Sequence, residues 1–364
     1  MSDKEVGNLD PSWDDWLVIE TLGFTDGIEP TVVARGDQKR QFTRLNRQPG
    51  PVKVKETVSK VVAEVVAKGE PVVEPTSGFG PDVGVAACGV PIFGPEAVVY
   101  GVQVWVGLVT ATPPPPESVG TFEFDVERQV TKHGPGHDEQ ILGLQDDSDT
   151  RTLQEIWKHF DRFDDEEAYR EYLDSLAADE FESGHEFAAE IYLTSADGVH
   201  RRIQMSVRSK KTTAGRRILG LLHDTTEGEK PHSMSDRQIA RAATQLAAQD
   251  ADSGIAQIDL NTGIVFEWLK TPPAPFDQWE KQNPEFDIRT TKTLADARAA
   301  IQSGSIKSDT ITATLRFPGD DDSWKLADLT ISAIGEADHQ QERTIRVAMI
   351  QIGHPCSSLP AGMW

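Results

Sequence analysis

Four consecutive prolines, Pro113 to Pro116, split this chain into a shorter block before them and a longer one after. Proline fixes φ and has no backbone N–H, so the run can enter neither helix nor central strand and reads as a stiff extended spacer. Residues 112–118 are therefore expected to be a linker, with separate cores on either side. For 364 residues, two or three domains are expected.

Order is expected to begin abruptly at Trp13, after a polar tail over residues 1–12. Trp16 to Leu22 is rich in β-formers and stops at Gly23, which reads as a strand, and Thr31–Arg35 reads as its hairpin partner. Val54, Val58, Val61, Val62 and Val65 fall on one helical stripe that Gly69 and Pro71 terminate. Two strands near Val83–Phe93 and Ala97–Val109 follow, joined by a Gly94-Pro95 turn. The first domain is thus placed at residues 13–111.

Past the linker, Thr121–Val126 reads as a strand and Leu153–Ala178 as a loop and helical region. Glu186–Thr194, His200–Lys210 and Arg216–Asp224 read as an antiparallel meander. Asp197-Gly198 between two alternating runs is a strong hairpin signal. The second domain spans 119–228. A further linker over 229–252 carries a capping-box pattern, Ser235 with Gln238, for a helix to Gln249. The third domain, 253–354, repeats the plan. It has strands at Ile255–Leu260 and Ile264–Lys270, a proline-rich loop, and a helix near Thr293–Gln302. Strands near Asp309–Phe317, Trp324–Ile334 and Thr344–Ile352 close it. Residues 355–364 are left as a tail. The fold class is α+β: three domains, each an antiparallel sheet with helices on one face.

Strand, strand, helices and three strands is the order of a PAS domain. The second block closes with Gly220-Leu-Leu-His-Asp224-Thr-Thr226-Glu227, which resembles the G-x-x-x-D-x-T-E ending of many PAS domains. In those domains the Asp and Thr cap the fold and lead into a signalling helix; here a proline-containing break intervenes. Together with "DDWLVIETLG", "PTVVARG" and "VVYGVQVWVG" in the first block, the chain resembles an actinobacterial family of GAF-like, PAS-like and PAS-like domains without an output domain. The resemblance implies a sensory or regulatory role. It transfers no ligand and no site residue.

The net charge of −23 disfavours nucleic acid and anionic membranes, and favours basic partners. The polar, acidic N-terminus has no signal-peptide core, and the longest apolar run, Val98–Val109, is too short to span a bilayer, so a cytoplasmic location is expected. Cys88 and Cys356 form neither a CxxC pair nor a disulfide framework.

A PAS-type pocket lies between helices and sheet, and the apolar candidates for its lining are Trp157, Phe160, Tyr169, Phe187, Met205 and Trp268. The same residues equally describe a filled core. Phe163, Ile191, Phe276 and Trp279 raise the same question. A haem would need a histidine such as His159, for which a rim position is the alternative. His133-Gly-Pro-Gly-His137 spaces two imidazoles by four, but Gly-Pro-Gly forbids the helix that would align them, and no metal site is assigned. Asp146-Asp147, Asp164–Glu167 and Asp320–Asp322 read as solvated faces and helix starts, not as catalytic pairs. Arg35, Lys39, Arg40, Arg44, Arg47, Lys53 and Lys55, with Phe42 among them, read as a solvated basic loop. No phosphate-binding motif occurs.

Binding is therefore expected, not catalysis, and no cofactor is assigned. No effector segment follows the third domain, so output is expected to pass through a separate protein partner, with a small-molecule ligand possible. The alternative is a constitutive interaction scaffold with filled cores and no ligand; a third reading is an enzyme with dispersed acid and base groups. A ligand pocket should enclose roughly 300 Å³ or more.

Overall fold

The computed structural model describes residues 15–76, 84–146, 148–177, 183–226, 252–317, 323–334 and 346–355. Three antiparallel sheets with a few helices make up the chain, a mixed α+β architecture.

The first sheet has the order β3-β2-β1-β6-β5-β4. Its strands are β1 (Leu17–Glu20), β2 (Thr31–Arg35), β3 (Gln38–Arg44), β4 (Val72–Thr76), β5 (Val85–Phe93) and β6 (Val99–Leu108). Helix α1 (Val52–Lys68) covers one face. Its valine stripe at 54, 58, 61, 62 and 65 packs on Leu17, Ile19, Val32, Val102 and Val104. The stripe overrides the weak helix propensity of valine because every stripe residue is buried. Gly69 ends the helix at φ 66°, and its N–H donates to the Val65 carbonyl. The helix lies so close to the sheet at Gly89 that a Cβ there would fall 2.4 Å from Val61 Cγ1.

The second sheet has the order β10-β11-β12-β13-β7-β8-β9. These are β7 (Val119–Asp125), β8 (Val130–His133), β9 (Thr150–Thr152), β10 (Phe160–Phe163), β11 (Glu186–Thr194), β12 (His200–Thr212) and β13 (Gly215–Asp224). Helices α2 (Leu153–Trp157) and α3 (Glu166–Ala177) occur in the segment expected to be helical, with β10 between them. The Asp197-Gly198 turn joins β11 to β12, with Gly198 at φ 80°. The third sheet has the order β15-β14-β19-β18-β17-β16. Its strands are β14 (Gly254–Asp259), β15 (Val265–Lys270), β16 (Glu285–Phe286), β17 (Ser308–Arg316), β18 (Lys325–Ala333) and β19 (Val347–Ile352), and helix α4 (Ile288–Gln302) packs on β17 and β18. In both later sheets the first strand pairs with the last.

The chain forms two compact units. One comprises residues 1–127, 132–149 and 162–231; the other comprises 128–131, 150–161 and 232–364. In the first unit the proline run joins two sheets that pack face to face. It is pinned: Trp16 Nε1 donates to the Pro115 carbonyl at 3.1 Å. Gln103 bonds both the N–H and the C=O of Glu117, at 2.8 and 2.9 Å.

The basic segment is not a loop. Lys39, Arg40 and Arg44 lie on β3, the edge strand of the first sheet, where long cations discourage pairing with another chain. Arg35 is buried on β2, with Nη2 3.4 Å from Gln48 Oε1. Neither β3 nor Pro75-containing β4 shows an apolar alternation that would have marked it as a strand. Cys88 is a free thiol, half-buried on β5, and burial raises its pKa. The expected helix at 235–249, Asp320–Asp322 and Cys356 lie outside the described residues.

Candidate functional site

Strand β12 is buried on both faces over Ile203–Ser209. Ile203, Met205 and Val207 alternate with Gln204, Ser206 and Arg208, so one face is apolar and the other polar. The polar face meets the first sheet. Gln204 Nε2 donates to the Val33 carbonyl at 2.5 Å. Arg208 reaches Glu20 Oε1 with Nη2 at 2.8 Å and Nε at 3.1 Å. Glu20 also accepts from Thr31 Oγ1 and from the Leu22 N–H. The Arg208 side chain is 4% exposed and that of Glu20 1%, so this is a desolvated ion pair. Arg208 also donates to the Gly184 carbonyl at 2.9 Å and lies over the Phe42 ring at 4.7 Å. The guanidinium thus has carboxylate, carbonyl and aromatic partners, as a buried charge requires. Beside it, Val18, Leu22, Val33, Ala34, Ile92 and Tyr100 pack on Val119, Leu219 and Leu221.

A cleft of about 140 Å³ opens along this seam. Leu22 and Tyr100 form its wall on the first sheet; Glu123, Lys210, Arg217 and Leu219 form the opposite wall. The Tyr100 hydroxyl donates to Glu123 Oε2 at 3.1 Å. Burial, and next the Glu123 charge, push its phenol well above the ordinary tyrosine range, so it is a donor and not a base. Arg217 pairs with Asp125 at 3.0 Å and Glu123 at 3.3 Å, and Lys210 Nζ donates to Thr25 Oγ1 at 3.0 Å. Such a wall can hold a small polar group. The volume is below the roughly 300 Å³ of a drug-sized ligand pocket and far too small for haem or flavin.

Residues 15–115 match the family model described as Rv3651-like, N-terminal. That stretch carries the whole first sheet and part of the proline run. The chain is also similar to the crystal structure of an uncharacterised protein from Mycobacterium tuberculosis. The two are 19% identical, the alignment covers 94% of this chain and 97% of the other, and the TM-score is 0.67. At that identity the likeness speaks for fold alone. A sensory box histidine kinase/response regulator from Burkholderia thailandensis aligns with 37% of this chain and 90% of its own, at 17% identity and a TM-score of 0.24. An RNA-binding light-oxygen-voltage receptor aligns with 65% and 95% respectively, at 13% identity and the same score of 0.24. Scores this low carry no argument about fold. No curated protein matches the chain. The cleft draws Leu22 and Tyr100 from the region the family model matches, and its opposite wall from beyond it.

The aromatic residues singled out in the sequence fall into different compact units. Tyr169 of α3 meets Phe187 of β11 at a ring-centroid distance of 5.5 Å and Phe163 at 5.7 Å, and Tyr172 stacks on Phe187 at 5.4 Å. Met205 is buried on the apolar face of β12, opposite Ala189. Trp157 stacks on Phe160 at 5.6 Å and tilts against Phe266 at 4.5 Å, in the other unit. Trp268 makes an edge contact with Trp279 at 5.5 Å within the core of the third sheet, where Phe276 and Leu315 are also buried. His159 is half-buried in the turn after α2. Asp164 forms an ion pair with Arg162, and Glu166 pairs with Arg170 at 2.7 Å on the first turn of α3.

The sequence reading missed the seam. Glu20, Gln204 and Arg208 carry no motif, and each lies inside an otherwise β-forming run. Their one signal is polarity at positions where both neighbours are apolar or buried, and only the pairing of sheets shows what they face.

Proposed function

We propose that this chain is a cytoplasmic sensory or regulatory protein that acts by binding, with GAF-like and PAS-like domains and with output through a separate protein partner. The observation that carries the reading is the cleft whose walls come from two sheets. A small occupant touching both Tyr100 and Arg217 would bias how those sheets pack, which is how a binding event becomes a signal. The central pairing of first and last strands in the second and third sheets supports the PAS-like assignment. The chemistry of the cleft supports recognition over catalysis, because its tyrosine stays protonated and its arginine is tied to carboxylates.

The second reading, a constitutive scaffold, is favoured by the closely packed rings of Tyr169, Tyr172 and Phe187, which occupy space where a PAS ligand would sit. Native mass spectrometry on protein from its own host separates the two. The sensory reading expects an added mass that Val98→Trp, at the exposed mouth of the cleft, removes. A bare polypeptide mass in the unmodified chain, with no ligand raising its melting temperature, would leave the scaffold.

A further inference from the structure

Strand β8 ends at His133, and Gly134-Pro135-Gly136 then turns the chain into a single π-helical turn, His137–Leu142. The segment is pressed onto β7. A Cβ on Gly136, whose φ is 80°, would fall 2.8 Å from the Val119 carbonyl oxygen, and one on Gly120 would fall 2.9 Å from His137 Cα. The Gly134 N–H donates to the Thr121 carbonyl at 2.8 Å. Gly-Pro-Gly does prevent a continuous α-helix, but this tight turn brings the two imidazoles together by another route. Their centroids are 4.1 Å apart and their planes 13° from parallel.

Asp138 completes the cluster. Its Oδ1 lies 2.7 Å from His137 Nδ1 and 3.0 Å from His133 Nδ1. One donor atom from each of the three residues falls within 4.8 Å of the others. The His133 side chain is only 6% exposed, and neither of its ring nitrogens makes a hydrogen bond. A buried imidazole without hydrogen bonds is costly, and an ordered water or a bound ion removes the cost; the second imidazole and the carboxylate beside His133 suit an ion.

We propose that His133, His137 and Asp138 form a binding site for a divalent cation of the zinc class. Two ligands about 2.0–2.1 Å from a tetrahedral ion stand about 3.3 Å apart, close to the separations seen. Both rings must turn about Cβ–Cγ to aim their in-plane lone pairs at one ion, which opens the stack. Two imidazole nitrogens and one carboxylate oxygen suit zinc, cobalt(II), nickel or iron(II) better than magnesium or calcium. Asp138 is 17% exposed, which gives the ion a solvent-facing side and room for water as a further ligand. The nearest lysine in sequence, Lys132, is engaged by Glu96. The ion would fasten the end of β8 to the turn that follows it. The site is separate from the cleft and does not depend on the function proposed above.

The test is calorimetric titration of the chelator-treated full chain with zinc chloride, repeated with His133→Ala, Asp138→Asn and His354→Ala. His354 is the control, an exposed imidazole 2.9 Å from Asp252. One saturating equivalent is expected, weakened at least about tenfold by His133→Ala and by Asp138→Asn, and unchanged by His354→Ala. Cobalt(II) added to the unmodified chain should give the visible bands of a low-coordinate nitrogen–oxygen site, a readout that needs no variant to fold. Absence of a saturable equivalent, or affinity unchanged in both His133→Ala and Asp138→Asn, would overturn the assignment.

Discussion

Replacing Arg208 by methionine removes the cation from the seam and keeps most of its apolar stem. Glu20 then remains 1% exposed with the Thr31 hydroxyl and the Leu22 N–H as the hydrogen-bond donors to its carboxyl group. Removing one partner of a buried pair costs about 3–5 kcal/mol, because the orphaned charge keeps its desolvation penalty. The loss of the bond to the Gly184 carbonyl adds about 1 kcal/mol. Glu20→Gln in the same chain removes the charge while its amide oxygen still accepts from Leu22. The double variant should therefore lie within about 1–2 kcal/mol of the parent, a coupling of at least about 2 kcal/mol. Urea denaturation gives the overall stability. Because the two compact units need not unfold together, hydrogen exchange at the β12 amides of Ile203–Ser209 should be measured alongside it. A single variant costing under about 1 kcal/mol, or a double variant no better than the single, would refute the claim that this ion pair is desolvated.

Asp197 is held down to about 2 by the Ser195 hydroxyl first, then by the Val199 N–H and Arg201. Its folded-state value lies below the unfolded one, so its contribution to stability is present above about pH 4 and is lost as pH falls through about 2. Carbon-detected NMR should place its midpoint near 2, and a midpoint near 4 would contradict the turn geometry. Gly89→Ala should lower stability by about 1–3 kcal/mol in thermal melts, since the new Cβ would meet Val61. Thr152→Ala removes the capping box of α2 and the bond to the Glu280 carbonyl, and should cost about 1–2 kcal/mol by urea titration.

The elements with strong periodicity were legible. The valine stripe of α1, the Asp197-Gly198 hairpin and the paired strands of the third sheet each carry their pattern in consecutive residues. Strands β3 and β4 were not, because one is basic and half-exposed and the other contains Pro75; both lie at edges, where a neighbouring strand on one side supplies the order. The candidate site was illegible for a different reason. Glu20 and Arg208 are 188 positions apart and meet only because two sheets pack on each other. The His133–His137 pair shows how a correct local rule can mislead, since excluding a helix did not exclude proximity.

The seam also sets the sign of any signal from the cleft. An occupant can shift the packing only by as much as it binds one arrangement better than another. A group that accepts one charge-assisted hydrogen bond from the Lys210 ammonium, which carries three N–H donors, and packs against the Tyr100 ring gains about 1.5–3 kcal/mol from the charged bond, which is roughly ten- to hundredfold in population. Lys210 and Tyr100 already line the cleft from its two walls with the sheets closed, so the gain belongs to the closed arrangement. Opening would forfeit that gain and also expose the Glu20–Arg208 pair, whose geometry depends on β1 and β12 staying in contact. A cleft ligand should therefore tighten the two sheets and slow hydrogen exchange across β1, β12 and β13. Faster exchange on binding would mean that the ligand works by prising the seam apart, against the geometry of its own binding groups.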